Sequence, residues 1–132
     1  MGIEAAIIGV DRSGKAAVLK PPLWQIAIAL VGVCEQPTDG SGVEHGGSPP
    51  EVIVLSQECV QAIAGALASP TKIATLYGVL LSDEAIQAQT NLYVVEERAL
   101  FETSVRRFIA QARRWFAKAA TEHWNVTVEL SL

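Results

Sequence analysis

The stretch RALFETSVRRFIAQARRWFAKAATEHWNVTVELSL, residues 98–132, decides the fold of this chain. Its apolar residues recur at spacings of 4, 3, 4, 3 and 4 from Phe101 to Ala119, and from Val126 onward they alternate with polar residues. Spacings of three and four are typical of one face of an α-helix, and strict alternation is typical of a half-buried β-strand. The stretch therefore predicts a long helix, over about 92–122, which is followed directly by a strand over 126–132.

The apolar face of this helix is wider than the seam of a coiled coil. Its central stripe is Phe101, Val105, Phe108, Ala112, Trp115 and Ala119, and Ile109 and Phe116 widen it on one side. A narrow stripe would predict a coiled coil, whereas a wide one predicts a helix that lies on a core. We therefore expect the long helix to lie on the core of its own domain, and the C-terminal strand to pair with an N-terminal hairpin.

The same helix concentrates the positive charge of the chain. Six of the ten basic residues lie between Arg98 and Lys118 against the single acid Glu102, so this stretch has a net charge of +5 and the remainder −9. Steps of seven or eleven residues return to nearly the same side of a helix. Two basic columns are therefore expected, one of Arg107, Arg114 and Lys118, the other of Arg106 and Arg113.

Three interpretations of this basic face remain open. The first is a solvated face that pairs weakly with acids. The second is an interface with an acidic protein surface or with another copy of the chain. The third is a contact with nucleic-acid phosphates. The net charge of −4 opposes the third interpretation. If the face is an interface, its candidate residues are Phe101, Arg106, Arg107, Phe108, Arg113, Arg114, Trp115 and Lys118.

Upstream of this stretch the sequence predicts a β-hairpin, another short strand and shorter helices. A type I turn at Asp11–Gly14 joins the two strands of the hairpin, because such turns favour Asp at the first position and Gly at the fourth. Ser or Pro stands at each predicted helix start, as is typical of helix N-termini. The expected strands are 3–10, 15–20 and 52–55, and the expected shorter helices are 57–68, 70–81 and Ser82 to about Gln89.

Two segments are harder to interpret from the sequence. Residues 23–35 are almost continuously apolar with a period of two, which favours a buried strand, with a short buried helix as the alternative. Residues 36–51 are a long Gly/Pro-rich loop. The expected fold is a single α+β domain over residues 1–132: an N-terminal β-hairpin plus short strands, several helices including one long C-terminal helix, and a closing C-terminal strand.

One motif resembles a phosphate-binding loop but lacks two of its parts. Residues 9–16 fit G-x-x-x-x-G-K, but Ala16 stands where Ser or Thr would hold magnesium. A P-loop also continues into a helix, whereas Pro21-Pro22 leaves no room for one. We therefore interpret Asp11 to Gly14 as the hairpin turn and expect no nucleotide cofactor.

The remaining reactive residues form no recognisable site in the sequence. Cys59 falls in the first turn of a predicted helix, where a thiol pKa can fall, but a buried core cysteine is the simpler interpretation. Cys34, Cys59, His45 and His123 lack the short spacings of a structural zinc site. One disulfide is possible with two cysteines, and nothing in the sequence requires it. We therefore expect no catalytic residues, no metal and no cofactor.

Composition supplies the main functional hypothesis. Half of the 132 residues are apolar and 18% are charged, which excludes a disordered chain. A domain of this size has little interior for so many apolar side chains, so their surplus indicates burial against other subunits. The first hypothesis is a non-enzymatic structural or assembly subunit of a larger homo-oligomeric complex, such as a connector or ring component of a virion or secretion machine.

Two other hypotheses stay open at this stage. One is a small acidic binding or chaperone module that holds a partner segment against an exposed sheet edge or in a helix groove, with the C-terminal strand as the candidate edge. The other is a small enzyme built on the hairpin loop or Cys59. The longest apolar run, 23–34, is shorter than the roughly 20 residues of a membrane span, and the N-terminus has no signal-peptide pattern. The sequence thus predicts a cytoplasmic protein, or part of an assembly formed from cytoplasmic components, without a membrane span.

Overall fold

The structure, a computed structural model, describes residues 4–22, 24–33, 51–82 and 95–131. Four antiparallel strands form one sheet in the order β2-β1-β4-β3. The predicted α+β fold, with a long C-terminal helix and a closing C-terminal strand, is confirmed. The strands are β1 (Glu4–Val10), β2 (Ala16–Leu19), β3 (Glu51–Leu55) and β4 (Asn125–Ser131), and the helices are α1 (Trp24–Val33), α2 (Gln57–Ala68), α3 (Pro70–Leu80) and α4 (Val95–Glu122).

The turn between β1 and β2 is built around one carboxylate. Asp11 Oδ1 accepts hydrogen bonds from the backbone N–H groups of Ser13 and Lys15, each at 2.9 Å, and from the Ser13 hydroxyl at 2.6 Å. These hydrogen bonds, that of the Ser13 hydroxyl first, lower the pKa of Asp11. Gly14 donates to the Asp11 carbonyl at 3.0 Å and has φ of 87°, a conformation that glycine adopts without strain. The predicted hairpin and the position of its turn, Asp11–Gly14, are confirmed.

Residues 24–33 form a helix, so the strand predicted for 23–35 is wrong. Ile26, Ala27, Leu30 and Val31 are its buried residues, and their spacing is that of one helical face rather than of a strand. The period of two in this run does not separate the two structures, because a segment that is apolar on all sides can be buried as either one. Ala27, Ala29 and Leu30 are strong helix formers, and their propensity favours the helix.

The helix starts of α2 and α3 lie where the sequence places them. Ser56 Oγ accepts from the Cys59 N–H at 3.0 Å at the start of α2, and Ser69 caps α3, whose first residue is Pro70. At the end of α4, His123 has φ of 54°, which turns the chain directly into β4. The helix predicted from Ser82 to Gln89 and nearly all of the predicted 36–51 loop lie outside the described residues.

The core lies between the helices and one face of the sheet. Alternate residues of β4, namely Val126, Val128 and Leu130, point into it, as the sequence predicts. β4 pairs with both β1 and β3, so it is an interior strand. The expectation that the C-terminal strand offers an exposed edge is therefore wrong, because both of its sides are already hydrogen-bonded.

Candidate interaction surface

The aromatic residues proposed as interface candidates are mostly part of the protein's own core. Phe108 is only 3% exposed, and Phe101 and Trp115 pack partly buried against the same cluster. The Trp115 ring lies edge-on to Phe116 at 5.0 Å and to Trp124 at 5.4 Å, measured between ring centroids. These three candidates attach α4 to the rest of the domain and offer little surface to a partner.

Trp115 and Trp124 lie directly against the backbone of β1 at Gly9. A Cβ at this position would come within 2.7 Å of Trp124 and 2.9 Å of Trp115. Glycine is therefore required at this position, because the two indole rings leave no room for a Cβ.

We expect Gly9→Ala to destabilise the domain. The added methyl group must displace two large rings in a packed core, which costs about 1–3 kcal/mol of unfolding free energy. Urea denaturation followed by far-UV circular dichroism measures the change. Gly78→Ala is the matched control, because a Cβ there meets nothing within 4 Å, and it should be neutral or stabilising. Equal stability of the Gly9 variant and the native protein would contradict the packing.

One arginine of the basic face is already bound within the chain. Arg106 pairs with Glu102 one turn earlier at 3.0 Å, and its guanidinium lies over the Tyr77 ring at 4.6 Å from the centroid. It therefore joins α4 to α3, and a partner would have to compete for it.

Four further basic residues of α4, namely Arg107, Arg113, Arg114 and Lys118, are exposed at the surface. Arg107, Arg113 and Arg114 are exposed, and the structure shows no ion pair for them within the described residues. Lys118 Nζ lies 5.8 Å from the centroid of the Trp124 ring, where its charge covers the edge of the core. The charged part of the predicted interface is thus Arg107, Arg113, Arg114 and, more weakly, Lys118.

A second surface, which the sequence analysis did not single out, is the face of the sheet turned away from the helices. We call it the outer sheet face. Its exposed large apolar residues are Val18, Val52 and Val54, which are 52%, 57% and 66% exposed. They are three of the five most exposed large apolar side chains in the described residues. The face consists of Glu4, Ala6, Ile8 and Val10 of β1, Ala16 and Val18 of β2 with Lys20 beyond it, Val52 and Val54 of β3, and Asn125, Thr127, Glu129 and Ser131 of β4.

The strand sequences carry the signal for this surface. Antiparallel strands with one solvated face usually alternate apolar and polar residues, whereas strands covered on both faces are apolar throughout. β4, NVTVELS, alternates, but the runs AAIIGV of β1, AAVL of β2 and VIVL of β3 do not. Three of the four strands thus have the composition of a sheet that is covered on both faces, although the described residues show a helical cover on one face alone.

An apolar cavity of about 740 Å³ lies among α1, α2 and α3. Small residues such as Ala29, Gly65 and Ala66 form much of its wall, and Lys72 and Thr75 are among its polar residues. Among the described residues, none of the side chains that line the cavity indicates which class of ligand it would bind. The cavity therefore carries no functional assignment.

The residues considered for catalysis are not assembled into a site. The segment after Lys15 is strand β2 instead of the helix that a P-loop needs. Cys59 is 3% exposed and disulfide-bonded, so it has no free thiol while that bond is intact. His123 lies with Asp11 and Glu122 at an open polar surface beside the hairpin turn, and His45 and Cys34 lie outside the described residues. Within the described ranges no group of His, Cys, Asp and Glu could hold a metal ion.

No single helix in residues 4–22, 24–33, 51–82 and 95–131 is long and apolar enough to cross a membrane. Helices α2 and α3 reach the required length and composition only as a pair, and they are bent by 93°.

These features define an α+β protein whose four-stranded antiparallel sheet carries helices on one face, while its other face exposes apolar residues of β1, β2 and β3 on either side of the polar outer residues of β4. Comparison with known protein families, with curated proteins and with solved structures gave no significant match. The basic surface of α4 and the outer sheet face are therefore the features from which a function can be inferred.

Proposed function

We propose that this chain is a non-enzymatic structural subunit of a larger homo-oligomeric complex, and that it buries its outer sheet face against another subunit. The observation that carries the proposal is the apolar composition of β1, β2 and β3 on the side away from the core. The apolar residues of β1 and β2 form one patch and those of β3 a second, with the polar outer residues of β4 between them. Apolar patches of a few hundred Å² are often functional surfaces.

The basic surface of α4 supplies a second contact on the opposite side of the molecule. Arg107, Arg113 and Arg114 suit an acidic protein surface, since the guanidinium group pairs with carboxylates through two parallel hydrogen bonds. A subunit with two separate contact surfaces builds assemblies larger than a dimer. Weak individual contacts suffice there, because several contacts hold each subunit at a high effective concentration.

We expect the double variant Val18→Lys/Val52→Lys to be a monomer while the native chain associates. Both valines are exposed in the single chain, so lysine costs little folding energy but places two unpaired charges in the proposed contact. Sedimentation velocity from about 1 to 200 µM, which spans the range of micromolar dissociation constants, measures the change. Circular dichroism shows whether the variant remains folded.

Val79→Lys is the matched control for this experiment. Val79 is 61% exposed but lies on α3, away from both the outer sheet face and the basic surface of α4. The control should associate as the native chain does. A native chain that stays monomeric throughout the concentration range would overturn the proposal, and so would an associating Val18→Lys/Val52→Lys variant.

The alternative function, a module that holds a partner segment along the C-terminal strand, loses its proposed edge because β4 is interior. The cytoplasmic localisation stays a prediction. The disulfide at Cys59 weighs against it, because disulfides persist in oxidising compartments and are rare in the reducing cytosol.

A further inference from the structure

The strand register arranges the outer sheet face in rows that cross the sheet. One row contains Val18, Ile8, Thr127 and Val54, since Ile8 is paired with Val18 and Thr127, and Thr127 with Val54. In the next row Ala6 and Val52 flank Glu129. Lys20 completes this row beside Ala6, because it directly follows Leu19, the partner of Ile7. The first row is uncharged, and the second carries one positive and one negative side chain.

The charges of this face are gathered at one end of it. Lys20, Glu129 and Glu4 line one depression there, and the opposite end carries uncharged side chains such as Val10 and Ala16. Lys20 and Glu129 are two strand spacings apart, about 10 Å. The described residues show no ion pair between them or with other groups. Each is therefore available to an opposite charge that approaches the face from outside.

A second copy of the chain supplies that charge in one of two simple arrangements. In both arrangements the two outer sheet faces pack face to face about a two-fold axis that lies between them. If this axis is perpendicular to the strands, the charged end of one face lies over the uncharged end of the other. Lys20 and Glu129 are then buried without partners, which is unfavourable. With the axis parallel to the strands, between β1 and β4, the two charged ends coincide.

The parallel axis also reverses the strand order in the second copy. β2 then lies over β3 of the second copy, and β1 lies over its β4. Val18 meets Val54 of the second copy, and Ile8 meets its Thr127. The Lys20 stem lies on Val52 of the second copy, and its ammonium group reaches the adjacent Glu129, because long lysine side chains lay their methylene stems on apolar surface.

We propose that two copies pack their outer sheet faces together about this axis, so that Lys20 of each copy pairs with Glu129 of the other. The inference rests on the proposed function and specifies its partner and register. The interface is isologous: one patch contacts the same patch, and every contact occurs twice.

The area of the face sets the expected strength. Four strands span about 19 Å, and strands of about six residues are about 20 Å long, so each copy contributes a flat area of about 400 Å². If both faces are treated as flat, they bury about 800 Å² in total, which is below the roughly 1,200 Å² of the smallest standard interfaces. We therefore expect a micromolar dimer, which larger assemblies strengthen through the α4 surface.

Reversing the two charges tests the pairing. Lys20→Glu alone sets two carboxylates against each other at both contacts, and Glu129→Lys alone sets two ammonium groups against each other. Each variant should dimerise about tenfold or more weakly than the native chain, because like charges across an interface are strongly unfavourable. An equimolar mixture should regain native affinity, because its heterodimer has one carboxylate and one ammonium group at each contact. Sedimentation equilibrium of the single variants and of the mixture measures this.

Lys72→Glu controls for net charge, because it changes the charge as Lys20→Glu does but is exposed on α3, away from the outer sheet face and from the basic surface of α4. It should dimerise as the native chain does. If the native chain dimerises and neither charge variant weakens it, the proposed pairing is wrong, although dissociation by Val18→Lys/Val52→Lys would still support the proposed function. If both variants are weak and their mixture is equally weak, the reciprocal two-fold contact is wrong. A native chain that stays monomeric overturns both the pairing and the proposed function.

Discussion

Leu130→Glu is expected to unfold the domain. Leu130 is 5% exposed, and it lies on the inner face of β4 in the same cluster as Val126 and Val128. Among the residues that the structure describes, no basic side chain lies in this buried cluster, so a carboxylate there is an unpaired buried charge. Such a charge costs about 3–5 kcal/mol, which is a large part of the 5–15 kcal/mol that stabilises an ordinary domain. Thermal denaturation followed by near-UV circular dichroism should show loss of the cooperative transition.

Ser131→Glu is the matched control for this substitution. Ser131 is the next residue of β4, is exposed and points to the outer sheet face. It should leave the unfolding free energy within about 0.5 kcal/mol of the native value, as surface substitutions usually do. If Leu130→Glu were as stable as Ser131→Glu, the assignment of the two faces of β4 would be reversed. The pair of variants thus tests which side of the sheet the helices cover.

The faces of β4 and its pairing with the N-terminal hairpin could be predicted from the sequence, but its second neighbour, β3, could not. Alternation in NVTVELS places Val126, Val128 and Leu130 together on the buried side, because successive side chains in a strand point to opposite faces. Whether β3 lies beside β4 depends on hydrogen bonds to residues more than seventy positions away, such as the pairing of Ile53 with Val128. No local pattern contains that information, so an interior strand was mistaken for an edge.

The prediction for residues 23–35 failed for a different physical reason. A segment that is apolar on all sides can be buried equally well as a strand or as a helix. Its apparent period of two arose from alternating Ala with larger side chains in WQIAIAL. The structure buries this segment as α1, which contacts β1, α2 and α3 at once. Tertiary surroundings therefore decide its structure.

The candidate site was predicted in part. Exposure of Arg107, Arg113 and Arg114 follows from the helical period, but Arg106 is bound by Glu102 and Tyr77, and Phe108 is in the core. The outer sheet face was overlooked although its signal is local. The runs AAIIGV, AAVL and VIVL lack the polar positions that a solvated face requires. A test for missing alternation, applied to each predicted strand, identifies the same residues without a structure.

Removal of the disulfide is expected to have the second large effect on stability. Cys59 is disulfide-bonded at the start of α2, and the sequence contains one other cysteine, Cys34. An intrachain bond between them closes a loop of 26 residues. Loop-closure entropy then predicts a loss of about 3.5 kcal/mol of unfolding free energy when the bond is removed, because the unfolded chain gains freedom. Guanidinium denaturation of the native chain with and without reductant measures the loss.

A cysteine cycle separates the bond from the packing of the Cys59 side chain. Alanine suits this buried site better than serine, because a buried hydroxyl group without a partner adds its own cost. Cys34→Ala, Cys59→Ala and the double variant should each lose about the same free energy, since the second substitution removes nothing that the first has left intact. Reductant should destabilise the native chain but none of the three variants. Strict additivity of the two single losses, or a native chain that is insensitive to reductant, would show that the two cysteines do not act as one bond.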